Sequence, residues 1–188
     1  MRQATTIIAL LAISHLCIPR SIVANHFNRI EKPYSDSALS SIPSMNEMVA
    51  QIMNVTGLQT NFEIKQANVP NIQASIAHHK RFILYNRTFI DQVINATKDK
   101  WSTFALLAHE IGHHLNGNTI LKSGGNPQME LAADEFAGFV LYKLGATLSQ
   151  TQEVMNYIAN VEPSASYPAR AQRMLALQKG WDRASNVR

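Results

Sequence analysis

The sequence predicts an α+β domain, a small antiparallel sheet early in the chain followed by helices that carry the chemistry. Three observations lead there. Residues 62 to 85 alternate apolar and polar side chains with a period of two. Beyond residue 100, apolar side chains recur at three-and-four spacing between Asn, Ser or Thr caps and Gly stops. The 188 residues, 46% hydrophobic and 16% charged, make enough apolar surface for one core. Net charge is +4, from 17 Lys and Arg against 13 Asp and Glu. That charge is too small and too evenly spread to argue for nucleic acid or an anionic membrane surface as partner.

Met1 to Ala24 reads as a secretory signal peptide: Arg2 at the start, an apolar stretch from Ile7 to Ile18, and Ala24 as the residue cut after. Ser14, His15 and Pro19 keep the apolar run well short of the roughly 20 residues a spanning helix needs, which disfavours an uncleaved anchor. The expected location is extracytoplasmic, periplasmic or secreted, with no integral membrane segment once the leader is gone. The single cysteine, Cys17, lies in that leader. A metal in the mature chain would therefore be held by histidine and carboxylate. Residues 25–44 mix Ser, Pro and charge without a period and read as an exposed arm; residues 45–188 form one domain.

Met45, Met48, Val49 and Ile52 mark a helix from Met45 to Val55, capped by Ser44 and ended by Gly57. Phe62 and Ile64, then Ile72, Ala74 and Ile76, then Phe82 to Tyr85 read as three antiparallel strands, with His78-His79-Lys80 as a solvated hairpin turn. Thr88 with Asp91 three residues on predicts a capping box for a short helix to Ala96. Ser102 or Thr103 would cap a helix from Phe104 to Leu115, closed by Asn116-Gly117. Asn126-Pro127 opens a helix to Leu144, closed by Gly145. Helices from Ser149 to Ala159 and from Pro168 to Lys179 complete the chain.

His109-Glu110-Ile111-Gly112-His113 is a His-Glu-x-x-His string inside the helix just described. Four residues slightly exceed one turn, so His109 and His113 share a face and can present two imidazole nitrogens to one metal. Glu110, on the flank of that face, can reach a water beside the metal without being a ligand. A catalytic zinc needs a third protein ligand and an open position. Asn116 and Thr119 stand where a three-histidine site would have glycine and histidine. A carboxylate from the following helix is the other solution. Glu130 and Asp134 share a face there, so Glu130 can ligate while Asp134 accepts the outer ring N–H of a metal histidine. Asp134 and Glu135 are the competing third ligands. Ala132, Ala133, Ala137 and Gly138 would let the two helices approach closely, and His114 reads as a flanking polar residue.

The His-Glu-Ile-Gly-His string, the following Glu130-x-x-x-Asp134 and the Pro168-x-x-x-x-Arg173 element together resemble the M48 gluzincin metallopeptidases, the group of the Ste24 and HtpX-like proteases. Val69 to Ala74 is similar to a degenerate copy of that family's Asn-Ala strand, and Gly180-Trp181 after the last helix resembles soluble bacterial members. The likeness spans roughly residues 45 to 181. It implies a zincin-like core, one Zn2+ per chain on His109, His113 and Glu130, and Glu110 as general base. It also implies that an extended polypeptide substrate pairs with the strand Ala74, Ser75, Ile76 and Ala77. The family has histidine before the proline of its last motif and this chain has Tyr167. Tyr167 or Arg173 is then the expected donor to a developing oxyanion. The implied function is a secreted or periplasmic zinc metalloendopeptidase acting on unfolded or damaged proteins. The alternative is a zinc-bound, catalytically weak or latent module that binds peptides, with residues 25–44 a candidate propeptide.

Overall fold

Three strands and six helices make up residues 42–117 and 126–187, which are those described by the computed structural model. The expected signal peptide, Cys17 and most of the expected 25–44 arm lie outside the described residues, as does the segment 118–125. The arm's last residues are described: Ile42 packs half-buried against the core and Ser44 caps the first helix. Among the described residues, no helix is long and apolar enough to cross a membrane.

Helix α1 (Met45–Thr56) forms where Ser44 accepts from the Glu47 N–H and Glu47 accepts from the Ser44 N–H, a reciprocal cap. Gly57, at φ 69°, ends it in a left-handed turn that a Cβ would strain. Met48, Val49, Ile52 and Met53 face the core.

The strands are β1 (Glu63–Gln66), β2 (Ile72–Ala77) and β3 (Lys80–Tyr85), in spatial order β1-β3-β2. The expected all-antiparallel sheet is in fact mixed: β2 pairs antiparallel with β3, but β1 runs parallel to it. Residues 67 to 71 carry the chain from β1 past the position of β3 to the far edge. When β3 returns antiparallel to β2, it slots between them and matches the direction of β1. His78 and His79, at φ 50° and 61°, form the two-residue hairpin turn, whose left-handed backbone matches the twist of the paired strands. Strand β2 departs from simple alternation: Gln73 and Ser75 are buried along with Ile72 and Ala74, so its first four residues are covered on both faces.

Helix α2 (Arg87–Thr97) is capped by Asn86, not by the expected Thr88. The helix starts directly after β3, and the Asn86 side chain accepts from the Phe89 N–H while donating to the Val69 carbonyl. Asp91, the other half of the expected box, pairs with Arg87 instead.

Helix α3 (Trp101–Leu115) starts three residues before the expected Phe104, so neither Ser102 nor Thr103 caps it. Lys100 is the N-cap and makes no side-chain cap bond; Asp99 just before it accepts from the Trp101 N–H at 2.8 Å. Both hydroxyls are pulled inside the helix, buried and without a hydrogen-bond partner among the described residues. Every residue from Ser102 to His114 is buried, so α3 is the central helix. Phe104, Leu107 and Ile111 each contribute about 1.5–3 kcal/mol on burial.

Helix α4 (Pro127–Leu144) opens on Asn126, which accepts from the Gln128 N–H, and closes on Gly145 at φ 94°. Helix α5 (Leu148–Ile158) is capped by Thr147 and Gln150. Helix α6 (Arg170–Asn186) runs seven residues beyond the expected Lys179. Gly180 does not stop it because it is a contact residue: a Cβ there would lie 1.8 Å from the Glu135 carbonyl oxygen of α4. Gly138 answers from α4, where a Cβ would lie 1.9 Å from the Leu177 carbonyl oxygen. Gly138 was expected to face α3; that seam is made instead by Gly112 and Ala133, with a would-be Cβ at 3.1 Å from the Ala133 Cα, and Ala132 is exposed.

Candidate metal centre

The backbone of α3 brings His109 and His113 to one face, one turn apart, with ring centroids 4.6 Å apart and rings nearly perpendicular. Their Nε2 atoms lie 3.1 Å from each other. From α4, Glu130 sets Oε2 at 3.4 Å from the His109 Nε2 and Oε1 at 3.4 Å from the His113 Nε2. One ligand atom from each of the three residues falls within 4.8 Å of the others, all three buried, close enough to hold one metal ion. Glu135, a competing third ligand, faces away and pairs with Lys179 and Arg183 of α6.

One turn along α4 from Glu130, Asp134 accepts from the His109 Nδ1 at 2.8 Å. This bond leaves the His109 Nε2 lone pair for the shared point between the rings. Behind it, Arg173 of α6 donates from Nε to Oδ2 at 2.7 Å and from Nη2 to Oδ1 at 2.8 Å. The pair is fully desolvated. With Nε and Nη2 both on Asp134, Arg173 stands behind His109 in this cluster. Tyr167 lies half-buried in the turn before α6, where its backbone exchanges hydrogen bonds with Ser164.

Glu110, Glu130 and Asp134 are three buried carboxylates gathered around one buried guanidinium and two buried imidazoles, so the space demands further positive charge, from a proton on His109 or from a metal cation. The groups show the same demand. Burial disfavours the His109 imidazolium, but Asp134 and Glu130 outweigh it and hold its pKa up at about 10. Burial raises Glu130, but hydrogen bonds from His109 and His113 overcome that and hold its carboxyl well below the usual range. Burial likewise opposes ionisation of Asp134, and Arg173 outweighs it, so its carboxyl is lowered. Of the three carboxylates, Glu110 alone is pushed up, by burial. Two imidazoles and a carboxylate, with outer groups orienting them, suit zinc well among divalent ions.

Glu110 Oε2 accepts from the Ala74 N–H at 2.6 Å. Ala74 lies opposite Ile83 on β3, so an N–H reaching Glu110 points away from β3 to the outer edge of β2. The strand Ala74, Ser75, Ile76 and Ala77 thus passes within one hydrogen bond of Glu110.

Sequence reasoning missed His114. It is buried, stacked on Phe62 at 5.6 Å, and its Nε2 donates to the Phe82 carbonyl at 2.9 Å. Burial pushes its pKa down to about 4, so the ring is neutral. Its one sequence signal is position: it lies four residues after Glu110, on the same flank of α3.

Comparison with family models, with curated proteins and with solved structures finds no match to this chain.

Proposed function

We propose that the chain is an extracytoplasmic zinc metalloendopeptidase with a gluzincin-type, M48-like core. The observation that carries the reading is the conjunction of a buried His109, His113 and Glu130 group with Glu110 one hydrogen bond from the edge strand β2. A structural metal needs no base on an adjacent β-edge. A peptidase needs both.

Zinc held by His109, His113 and Glu130 would act as a Lewis acid toward water and the scissile carbonyl. The remaining work falls to the chain. Strand β2 pairs with an extended peptide along its outer edge, which lays the scissile bond beside Glu110. Glu110, with its carboxyl pKa raised by burial, takes a proton from the attacking water and hands it to the leaving amine. Asp134 fixes the His109 tautomer, and Arg173 fixes Asp134. Tyr167 remains the candidate oxyanion donor.

One observation favours the second reading, a latent or peptide-binding module: in the resting structure the base is already engaged by the Ala74 N–H. Digestion of unfolded casein with stoichiometric zinc separates the two readings. The peptidase reading expects the wild-type chain to cut, Glu110→Gln to lose activity by at least a hundredfold, and both to hold one zinc. If both hold zinc and neither cuts, the module reading replaces it.

A further inference from the structure

We propose that His114, with Arg81 and Phe62, is the positioning clasp that sets the offset of the pairing edge β2 from helix α3, and so from Glu110. The inference rests on the peptidase reading for its consequence, though its geometry stands alone. Glu110 and His114 are four residues apart, about 6 Å along the helix and on one flank. The first accepts from the Ala74 N–H; the second donates to the carbonyl of Phe82. Phe82 is the register partner of Ser75, the residue after Ala74. Two side chains one helical turn apart therefore hold two adjacent rungs of the same hairpin, which fixes both the distance and the angle between strand and helix.

Two more contacts close the clasp. Arg81, beside Phe82 on β3, donates from Nη1 to the His114 carbonyl at 2.9 Å, where the end of α3 leaves carbonyls without helical partners. Phe62 stacks on the imidazole with an interplanar angle of 20° and holds its plane. A substrate strand inherits its position from β2, and a misplacement of about 1 Å at the reacting atoms can cost a hundredfold in rate. His114 touches no substrate in this scheme; it acts through the strand.

The test uses His114→Phe, which keeps a stacking ring and loses the donor, and His114→Gln, which returns an N–H near the Nε2 position. Amide hydrogen exchange of the zinc-free chain reads the offset directly and needs no proteolysis. His114→Phe should speed exchange at Ala74 at least tenfold while the β2 to β3 ladder amides of Gln73 and Ser75 stay within twofold, and His114→Gln should return Ala74 to within threefold of wild type. For the zinc-loaded chain, kcat/KM on an eight-residue peptide should fall tenfold or more in His114→Phe with zinc still one per chain, and recover in His114→Gln. Arg81→Met should move Ala74 exchange in the same direction, and serves if His114→Phe does not fold. Unchanged Ala74 exchange in both His114→Phe and Arg81→Met, or equal acceleration of all three β2 amides, would overturn the inference. A wild-type chain that cuts nothing would sink the peptidase reading and leave the exchange result to be judged by itself.

Discussion

Arg173→Met is the perturbation that separates an orienting role from an oxyanion role. The guanidinium makes two bonds of 2.7 and 2.8 Å to Asp134, and both groups are excluded from water. Replacing it with a thioether of similar length leaves Asp134 with the His109 Nδ1 as its remaining partner in this cluster. Breaking a buried pair from one side costs about 3–5 kcal/mol. For a domain of this size that lowers Tm by roughly 6–20 °C. The metal should feel it too, because losing an outer partner of a ligating histidine typically costs 10–100-fold in affinity. Zinc competition against a chromophoric chelator, with thermal unfolding alongside, reads both effects. Arg173→Lys should recover only part of each, since an ammonium cannot make the paired bonds. If Arg173→Met binds zinc within twofold of wild type and loses only kcat, the orienting account is wrong and Arg173 acts on the substrate.

The other predictions address the frame around the site. Gly138→Ala or Gly180→Ala forces a Cβ to within 1.9 or 1.8 Å of a backbone oxygen, so α4 and α6 must part by about 1.5 Å to reach ordinary contact. The strain of about 1–3 kcal/mol or more outweighs the roughly 1 kcal/mol alanine gains over glycine in a helix, so urea unfolding should show a net loss. Gly112→Ala, whose nearest neighbour is 3.1 Å away, should stay within about 1 kcal/mol of wild type; a loss equal to that of Gly138→Ala would refute the distance argument. Tyr167→Phe should lower kcat by about 10²–10³ with zinc retained if the hydroxyl serves the oxyanion, and an unchanged kcat would remove Tyr167 from the mechanism. Chelation should lower Tm, because zinc at a hundred times its Kd adds about 2.7 kcal/mol to the folded state; an unaltered Tm would count against a site preformed in the fold.

The helices were legible where local chemistry decides them. Ser44, Gly57, Asn126-Pro127 and Gly145 bound their helices as read, because caps and left-handed turns are encoded by the residues that make them. Helical periodicity alone made His109 with His113, and Glu130 with Asp134, legible as same-face pairs; joining the two helices at one site was implied by the family resemblance, and the structure brings His109, His113 and Glu130 together. Long-range geometry hid the rest. Nothing local says that β3 inserts between β1 and β2, which makes β1 parallel. Gly180 reads as a stop until the Glu135 carbonyl of another helix is seen against it. His114 looks like a flanking polar residue and Arg173 like an oxyanion donor, because their partners, Phe82 and Asp134, are 32 and 39 positions away.

X-ray absorption at the zinc edge of the metal-loaded chain tests the central claim most directly. The account predicts one zinc with two imidazole nitrogens at about 2.0–2.1 Å, one carboxylate oxygen at about 2.0–2.2 Å, and a fourth position taken by solvent and exchangeable with a hydroxamate. A zinc closed by four protein ligands, or no stoichiometric zinc at all, would contradict it.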